Sequence, residues 1–373
     1  MNLLPKPSET RPRVACEISP QGVVAARSAD ATAPLGATAR VELAEGAVFP
    51  GLRPGNVVDR VEVAAAVLRA LERVDAKPNS RDADITLVIP DAAVRVLLLD
   101  FDALPSRLSE ALPIVRFRLK KLLPFEADDA MLSYQVMSSG KAGVRVLAVA
   151  IPRDVLSEYE TAVREAGFEP GSVLPSTLAA LAAVESDGAS LLVNANPQGV
   201  TTAIVRNGIL LLHRSLDLQV HDSQIHGGET AHAMDVSLPL IDEHHSAAEW
   251  AAQEPLPEHP HAPSNTHSTP FAQLSAPLAD DMQPVAFSRE IAEAVSVAAA
   301  YFEDTLAASP SQVLSAGPLG AERLRRILTE QGVGPEDGLS VRELVESSAL
   351  LSEATTSAVP RAWLSSVTGA LRA

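Results

Sequence analysis

The stretch "NANPQGV", Asn194–Val200, repeats the last four residues of "EISPQGV", Glu17–Val23. Each copy lies between two short apolar runs, which predicts a tight turn that joins two antiparallel strands. The prolines of the two copies are 197 − 20 = 177 residues apart. A chain that builds the same turn twice, so far apart, is predicted to contain two related halves that each begin with a strand, a turn and a returning strand.

Composition limits the class of protein. The 373 residues are enough for two or three domains. The only cysteine is Cys16, so an internal disulfide is excluded, which suits a reducing cytosol. No apolar run approaches the roughly 18 residues of a membrane span, and the first residues, "MNLLPKPSETRPR", lack the apolar core of a signal peptide. We therefore expect a cytoplasmic protein without a membrane span.

The negative charge is concentrated in one segment. Of the net charge of −17, residues 219–288 contribute −10, because they contain ten acidic residues and no Lys or Arg. The rest of the chain carries −17 − (−10) = −7, and no basic cluster resembles a nucleic-acid footprint. The segment also holds eight of the nine histidines. A metal site is one interpretation, but no ligand spacing supports it, so we predict a disordered acidic insert over 219–286.

The region between the two turns has a different pattern. "VRVLLLDF", "MLSYQVM" and "VRVLAVAI" predict strands, with one helix after the first and another after the last. This makes a strand–helix–strand–strand–helix unit from about Val94 to Gly167. The first helix has one apolar stripe, which consists of Leu108, Leu112, Val115, Leu119 and Leu122.

Two halves that face each other across a cleft are the plan of the actin-like ATPase fold. The predicted fold class is therefore α/β, an actin-like (ASKHA) two-lobed fold with duplicated, hairpin-containing halves and an inserted small α+β (SHS2-like) subdomain. The predicted ranges are 1–13 for a flexible N-terminal peptide, 14–93 for the first lobe, 94–186 for the inserted subdomain and a connecting helix, 187–218 for the start of the second lobe, 219–286 for the insert and 287–373 for the remainder.

The first hairpin of each half cradles phosphates in that fold, and its chemistry needs Asp-x-Gly followed by Ser or Thr. The acid holds Mg²⁺ through water, and the glycine lets backbone N–H groups approach the phosphates. Here Glu17 keeps a carboxylate and Asn194 has none, while Ser19 and Asn196 replace the glycines. A proline then removes one N–H donor from each turn. The sequence therefore predicts a nucleotide site that has lost ATP hydrolysis.

The candidate residues of this degenerate nucleotide site are Glu17, Ser19, Gln21, Gly22, Asn194, Asn196, Gly199 and Gly317. No catalytic residue, cofactor or metal is assigned, although ATP and Mg²⁺ remain possible ligands. The alternatives are a working actin-like ATPase that cycles with nucleotide and a small-molecule kinase of the same superfold, because fold alone does not separate them.

Several motifs resemble the PilM-like type IV pilus assembly proteins, relatives of the cell-division protein FtsA. They are "VIPD" at 88–91, "LPFE" at 123–126, "LSYQV" at 132–136, "VLAVAIPRD" at 146–154, "HRSL" at 213–216 and "LSAGPLG" at 314–320. The resemblance implies a cytoplasmic scaffold of pilus or related secretion assembly, peripheral to the inner membrane through a partner.

In PilM-like proteins the groove beside the small subdomain binds the N-terminal tail of an inner-membrane partner, PilN, and this tail resembles "INLLP". The present chain begins "MNLLPKP". Asn2, Leu3, Leu4 and Pro5 are therefore candidates for occupying the protein's own groove or for self-association, and an arbitrary terminus is the alternative. On the Leu108–Leu122 helix, Arg116 and Leu119 are the candidate partner-binding residues. The basic residues of this helix could face anionic lipid or an acidic partner, and a solvated helix face is the alternative.

Overall fold

The computed structural model describes residues 12–80, 83–141, 143–185, 188–218, 279–310, 312–334, 339–351 and 359–372. Three β-sheets organise these residues. The predicted N-terminal peptide and most of the acidic insert lie outside the described residues.

The first sheet begins with the first of the twin turns. Its five strands are ordered β3-β2-β1-β4-β8. Their bounds are β1 Val14–Ser19, β2 Gly22–Ser28, β3 Leu35–Val41, β4 Asp84–Ile89 and β8 Glu169–Pro175. Strands β1 to β3 are antiparallel, whereas β4 and β8 run parallel to β1. Helix α1, Arg60–Glu72, packs against this sheet with its valine and alanine face, and we call this unit the first lobe.

The second sheet repeats the first. Its order is β11-β10-β9-β12-β13, with three antiparallel strands followed by two parallel ones. The bounds are β9 Ala189–Asn196, β10 Gly199–Arg206, β11 Ile209–Asp217, β12 Gln312–Ala316 and β13 Ser340–Glu343. Helices α5, Ala279–Leu306, and α6, Ala321–Glu330, bury their apolar faces against it. This second lobe confirms the duplication that the twin turns predict.

The inserted subdomain contains a three-stranded sheet ordered β5-β7-β6. The bounds are β5 Arg95–Phe101, β6 Ala130–Gly140 and β7 Gly143–Pro152, with helix α2, Leu108–Leu119, on one face. Of the predicted apolar stripe, Val115 and Leu119 are buried, but Leu108 is 64% exposed and Leu122 is 47% exposed. Val115 and Leu119 pack into the core that α2 shares with the small sheet, whereas Leu108 and Leu122 lie at the exposed ends of the stripe.

Helix α3, Arg153–Glu165, begins after Pro152 as predicted but packs into the core of the first lobe. The Glu158 carboxylate accepts the backbone N–H groups of residues 55, 56 and 57 at 2.7, 2.6 and 3.0 Å. The Tyr159 hydroxyl donates to Asn56 Oδ1 at 3.2 Å. Strand β8, which lies in the range predicted for the inserted subdomain, is likewise the fifth strand of the first-lobe sheet.

Two short helices connect the lobes. Helix α4, Ser176–Leu181, follows the last strand of the first lobe, and α7, Ser365–Arg372, follows that of the second. The two helices pack together, and each also contacts the opposite lobe. Leu364, Val367 and Leu371 lie against the first sheet, and Ala180 lies against the second.

Within the described ranges, none of the helices is both long enough and apolar enough to cross a membrane. Helix α5 already begins at Ala279, inside the range predicted to be a disordered insert.

Candidate functional site

The twin turns lie at the mouth of a small cavity between the lobes. Seven of the eight residues predicted for the degenerate nucleotide site line this cavity: Glu17, Ser19, Gln21, Asn194, Asn196, Gly199 and Gly317. Gly22 does not line it. With φ at +148°, a Cβ added to Gly22 would lie 2.5 Å from the Val41 carbonyl oxygen, so this glycine serves close strand packing.

The cavity is too small for a nucleotide. Its volume is about 60 Å³. Pockets that bind small molecules and cofactors have volumes of roughly 300–1,000 Å³. In the arrangement described, the cavity between the two lobes is therefore much smaller than an ordinary cofactor pocket.

Polar groups of the two turns are already hydrogen-bonded within the turns. The Ser19 hydroxyl donates to the Gly22 carbonyl oxygen at 2.9 Å. In the second turn, the Gln198 N–H donates to Asn196 Oδ1 at 2.8 Å. Because each turn also begins with a proline, few backbone N–H groups remain to bind a phosphate.

The two turns contact each other through equivalent glutamines. Gln21 Nε2 donates a hydrogen bond to Gln198 Oε1 across the cavity mouth. The Arg40 guanidinium donates to the Gln21 carbonyl oxygen at 3.4 Å and lies 3.9 Å above the Trp363 ring. These contacts hold the mouth of the cavity closed.

Glu17 lies in the second half of β1 and points at the beginnings of the two connecting helices. Ser176 Oγ donates to its carboxyl group at 2.8 Å, and Ser366 Oγ donates to the other oxygen. Burial raises the pKa of Glu17 to about 7, although both serine hydrogen bonds oppose the shift. The side chain that would hold Mg²⁺ through water in a working site therefore joins two helices and retains its proton well above pH 4.5.

Asp91 and Asn194 form the other half of this network. The Asp91 carboxylate accepts the Thr177 N–H at 3.0 Å and a longer bond from Asn194 Nδ2 at 3.4 Å. The same Asn194 amide donates to Thr177 Oγ1 at 2.9 Å and to Ser176 Oγ at 3.1 Å. Its donors are thus used inside the protein.

His213 lies on β11 near Asp91. Burial lowers the pKa of His213, and the negative charge of Asp91 opposes that shift. Its Nε2 atom is buried without a hydrogen-bond partner among the described residues. The neutral imidazole is therefore the favoured form at this position.

The residues present do not fit a nucleotide with its metal. The position that would need a second carboxylate is Asn194, and its amide is fully engaged. Within the described ranges, no three His, Cys, Asp or Glu side chains lie close enough together to bind a metal. The arrangement joins five parts of the fold through one polar network: β1, Asp91 after β4, α4, β9 and α7.

Four members of this network are absent from the sequence prediction: Asp91, Ser176, Thr177 and Ser366. A signal existed for Asp91, because it follows the buried parallel strand β4, and the carboxyl ends of parallel strands commonly carry binding residues. Ser366 is 349 residues from Glu17, and no local pattern connects the two.

Gly317 follows β12 in a left-handed conformation, with φ at +79°. A Cβ added there would lie 2.7 Å from the Ala195 carbonyl oxygen. That same oxygen accepts the Leu319 N–H at 3.1 Å. The glycine turn thus packs directly against the strand that leads into the second twin turn.

The predicted partner-binding residues divide into three groups. Asn2, Leu3, Leu4 and Pro5 lie outside the described residues. Leu119 is fully buried in the inserted subdomain, so it supports the helix and is not available to a partner. Arg116 lines an open groove of about 690 Å³ on α2 and donates to the Ala130 carbonyl oxygen at 3.3 Å.

Two five-stranded sheets of the same order, joined by crossing helices around an interlobe cavity, define an actin-like ATPase fold. The chain superimposes on a chain of the solved "PilM-PilN type IV pilus biogenesis complex" with a TM-score of 0.66 and 16% identity, covering 98% of this chain and 99% of the other. The fold predicted from the resemblance to PilM-like proteins is thereby confirmed.

Two other solved structures that match are less similar. The cytoplasmic domain of EpsL, an inner-membrane component of the type II secretion system of Vibrio cholerae, gives a TM-score of 0.36 at 12% identity, covering 55% of this chain and 71% of that one. The ethanolamine utilization protein EutJ of Carboxydothermus hydrogenoformans gives 0.40 at 10% identity, covering 100% and 91%. The sequence matches no protein-family model and no curated protein.

Proposed function

We propose that this protein is a cytoplasmic scaffold of a type IV pilus, or of a related secretion machine, which binds the tail of a PilN-like inner-membrane partner and does not hydrolyse ATP. The likeness in fold to the PilM-PilN complex, over nearly the whole of both chains, supports the assignment to this machinery. The closed cavity, in which Glu17, Asn194 and both turns bond to other protein groups, is the observation that supports the loss of ATPase activity.

Calorimetric titration with ATP and Mg²⁺ should give no saturable heat for the natural protein. The double variant Asn194→Asp with Asn196→Gly restores Asp-x-Gly in the second turn and frees the Gln198 N–H. We expect this variant to gain measurable binding of Mg²⁺–ATP. The variant Asn207→Asp, in the hairpin at the other end of β10, is the matched control and should gain none. Saturable binding or steady ATP turnover by the natural protein would favour a nucleotide-cycling ATPase and refute this half of the proposal.

The groove on α2 is the proposed docking site for the partner tail. It is lined by Arg107, Leu108, Ser109, Leu112, Pro113 and Arg116. Its volume of about 690 Å³ lies within the range of ordinary ligand pockets, roughly 300–1,000 Å³. Its leucines suit the apolar anchors of an "NLLP" segment, whose proline limits the entropy lost on docking.

The variant Leu108→Asp should weaken binding of a labelled peptide that begins "INLLP" by about tenfold or more, because it places a charge in an apolar anchor site. Leu108 is 64% exposed, and Phe117, which does not line this groove, is 70% exposed. Phe117→Asp is therefore the matched control and should leave the affinity unchanged. Fluorescence anisotropy measures both, and the reverse pattern would place the peptide elsewhere.

The N-terminal segment is proposed to compete for this groove. Deletion of residues 1–7 should raise the affinity for the same peptide if the segment occupies its own groove, and should reduce self-association if it links copies head to tail. Unchanged peptide affinity together with unchanged self-association, measured by sedimentation velocity, would remove the idea.

A further inference from the structure

Strand β6 is an unusual edge strand. The three sheets have six edges, formed by β3, β5, β6, β8, β11 and β13. Five of these strands contain at least one charged residue, whereas β6, "AMLSYQVMSSG", contains no charged residue and no proline. At eleven residues it is also the longest of the six.

In the part of the chain that the structure describes, the only ladder of β6 is the one with β7, and the Ala130 carbonyl oxygen accepts one side-chain hydrogen bond, from Arg116. Natural edge strands are usually kept from pairing with other chains by charged residues, prolines or short length. Of these protections β6 has only one, a shift in its register with β7 between Val136 and Ser138. The segment before this shift, Ala130–Val136, pairs regularly with β7. Met131 and Val136 expose 42% and 39% of their surface there.

We propose that Ala130–Val136 pairs antiparallel with the same segment of a second copy, about a two-fold axis at Ser133. Antiparallel pairing about such an axis places two identical strands side by side. Charged residues on the strand would therefore lie close to the same charges of the other copy. The absence of charge along β6 removes that repulsion, and this favours a copy of this chain over an arbitrary partner strand.

The pairing extends an existing core. With the axis at Ser133, Leu132 lies opposite Tyr134 of the partner subunit. In the single chain, both Leu132 and Tyr134 pack partly buried against the core beneath α2. Pairs of an aromatic and an aliphatic residue across strands contribute roughly 0.2–1 kcal/mol each. The two three-stranded sheets become one six-stranded sheet with a helix from each copy on the same face.

A cysteine placed at the axis tests this geometry. Directly opposed residues in antiparallel strands have Cα atoms about 4.5–5.5 Å apart, which a disulfide can bridge. Ser133→Cys should therefore form a covalent dimer on mild oxidation of the full chain. Ser139→Cys, equally exposed on the same strand, is the control, because its two copies would lie about 40 Å apart. The natural Cys16 is buried and free, so it does not interfere.

A charge at the axis tests the energetics. Ser133→Lys should weaken dimerisation by about fivefold, since it places two like charges opposite each other, whereas Ser139→Lys should not. Sedimentation equilibrium measures this, with circular dichroism to confirm folding. A chain that stays monomeric, with β6 amides protected from hydrogen exchange, would overturn the proposal. Equal cross-linking of the two cysteine variants would also overturn it. So would a dimer that is abolished by deletion of residues 1–7 but not by Ser133→Lys.

Discussion

Replacement of Gly369 by alanine should lower the free energy of unfolding by about 3 kcal/mol. Gly369 lies in α7 where that helix crosses α4, and a Cβ added there would collide with the backbone carbonyl oxygen of Ala179 and lie 3.2 Å from the Ala180 Cα. Backbone atoms cannot rotate away as a side chain can, so the two helices must separate. The helical preference for alanine over glycine offsets only about 1 kcal/mol.

Urea denaturation of the full chain measures this loss. Gly51→Ala is the matched control, because a Cβ added there meets nothing within 4 Å and should change stability by no more than about 0.5 kcal/mol. Equal stability of Gly369→Ala and the natural protein would show that the two connecting helices do not pack as closely as described.

Replacement of Glu17 by glutamine should stabilise the protein at alkaline pH and reduce the fall in stability with rising pH. The folded protein holds the Glu17 proton up to about pH 7, whereas the unfolded chain releases it near 4.5. Between these values the unfolded state binds fewer protons than the folded state, so Glu17 makes stability fall as the pH rises. The full difference is at most roughly 3 kcal/mol.

His213 changes stability with pH in the direction opposite to Glu17. Its pKa is lowered from 6.5, so its contribution makes stability rise with pH below that value. The difference between Glu17→Gln and the natural protein, measured by urea denaturation from pH 4 to 8, therefore isolates Glu17. Glu42→Gln, at a side chain that is 78% exposed, is the control and should change stability at pH 8 by no more than about 0.5 kcal/mol. A Glu17→Gln variant that is less stable than the natural protein at pH 8 would show that the carboxylate is ionised and held by the two helices.

The duplicated plan could be predicted from the sequence because its signals are local. The twin "PQG" turns each specify a two-residue connection, and both appear as predicted. Strand β8, "EPGSVLP", was not predicted, since it has no alternating pattern and two prolines. Only its parallel pairing with β4 makes it a strand, and that pairing is a tertiary contact.

The candidate site was predictable only in part for the same reason. The turn residues are identified by their repetition, so Glu17, Ser19, Asn194 and Asn196 could be named in advance. Their partners are brought in by α4 and α7, which have no motif of their own. The Gln21–Gln198 contact joins the two halves at the cavity mouth, and no property of either turn alone predicts it.

The packing of each connecting helix against the opposite lobe has a consequence for folding during synthesis. The sheet face of the first lobe that includes Ala15, Val24 and Val88 is covered by Val367 and Leu371 of α7. During translation this apolar face leaves the ribosome about 280 residues before the α7 residues that pack against it. The first lobe therefore cannot complete its folding as an independent nascent domain, and chains truncated before residue 365 should depend on chaperones to stay soluble.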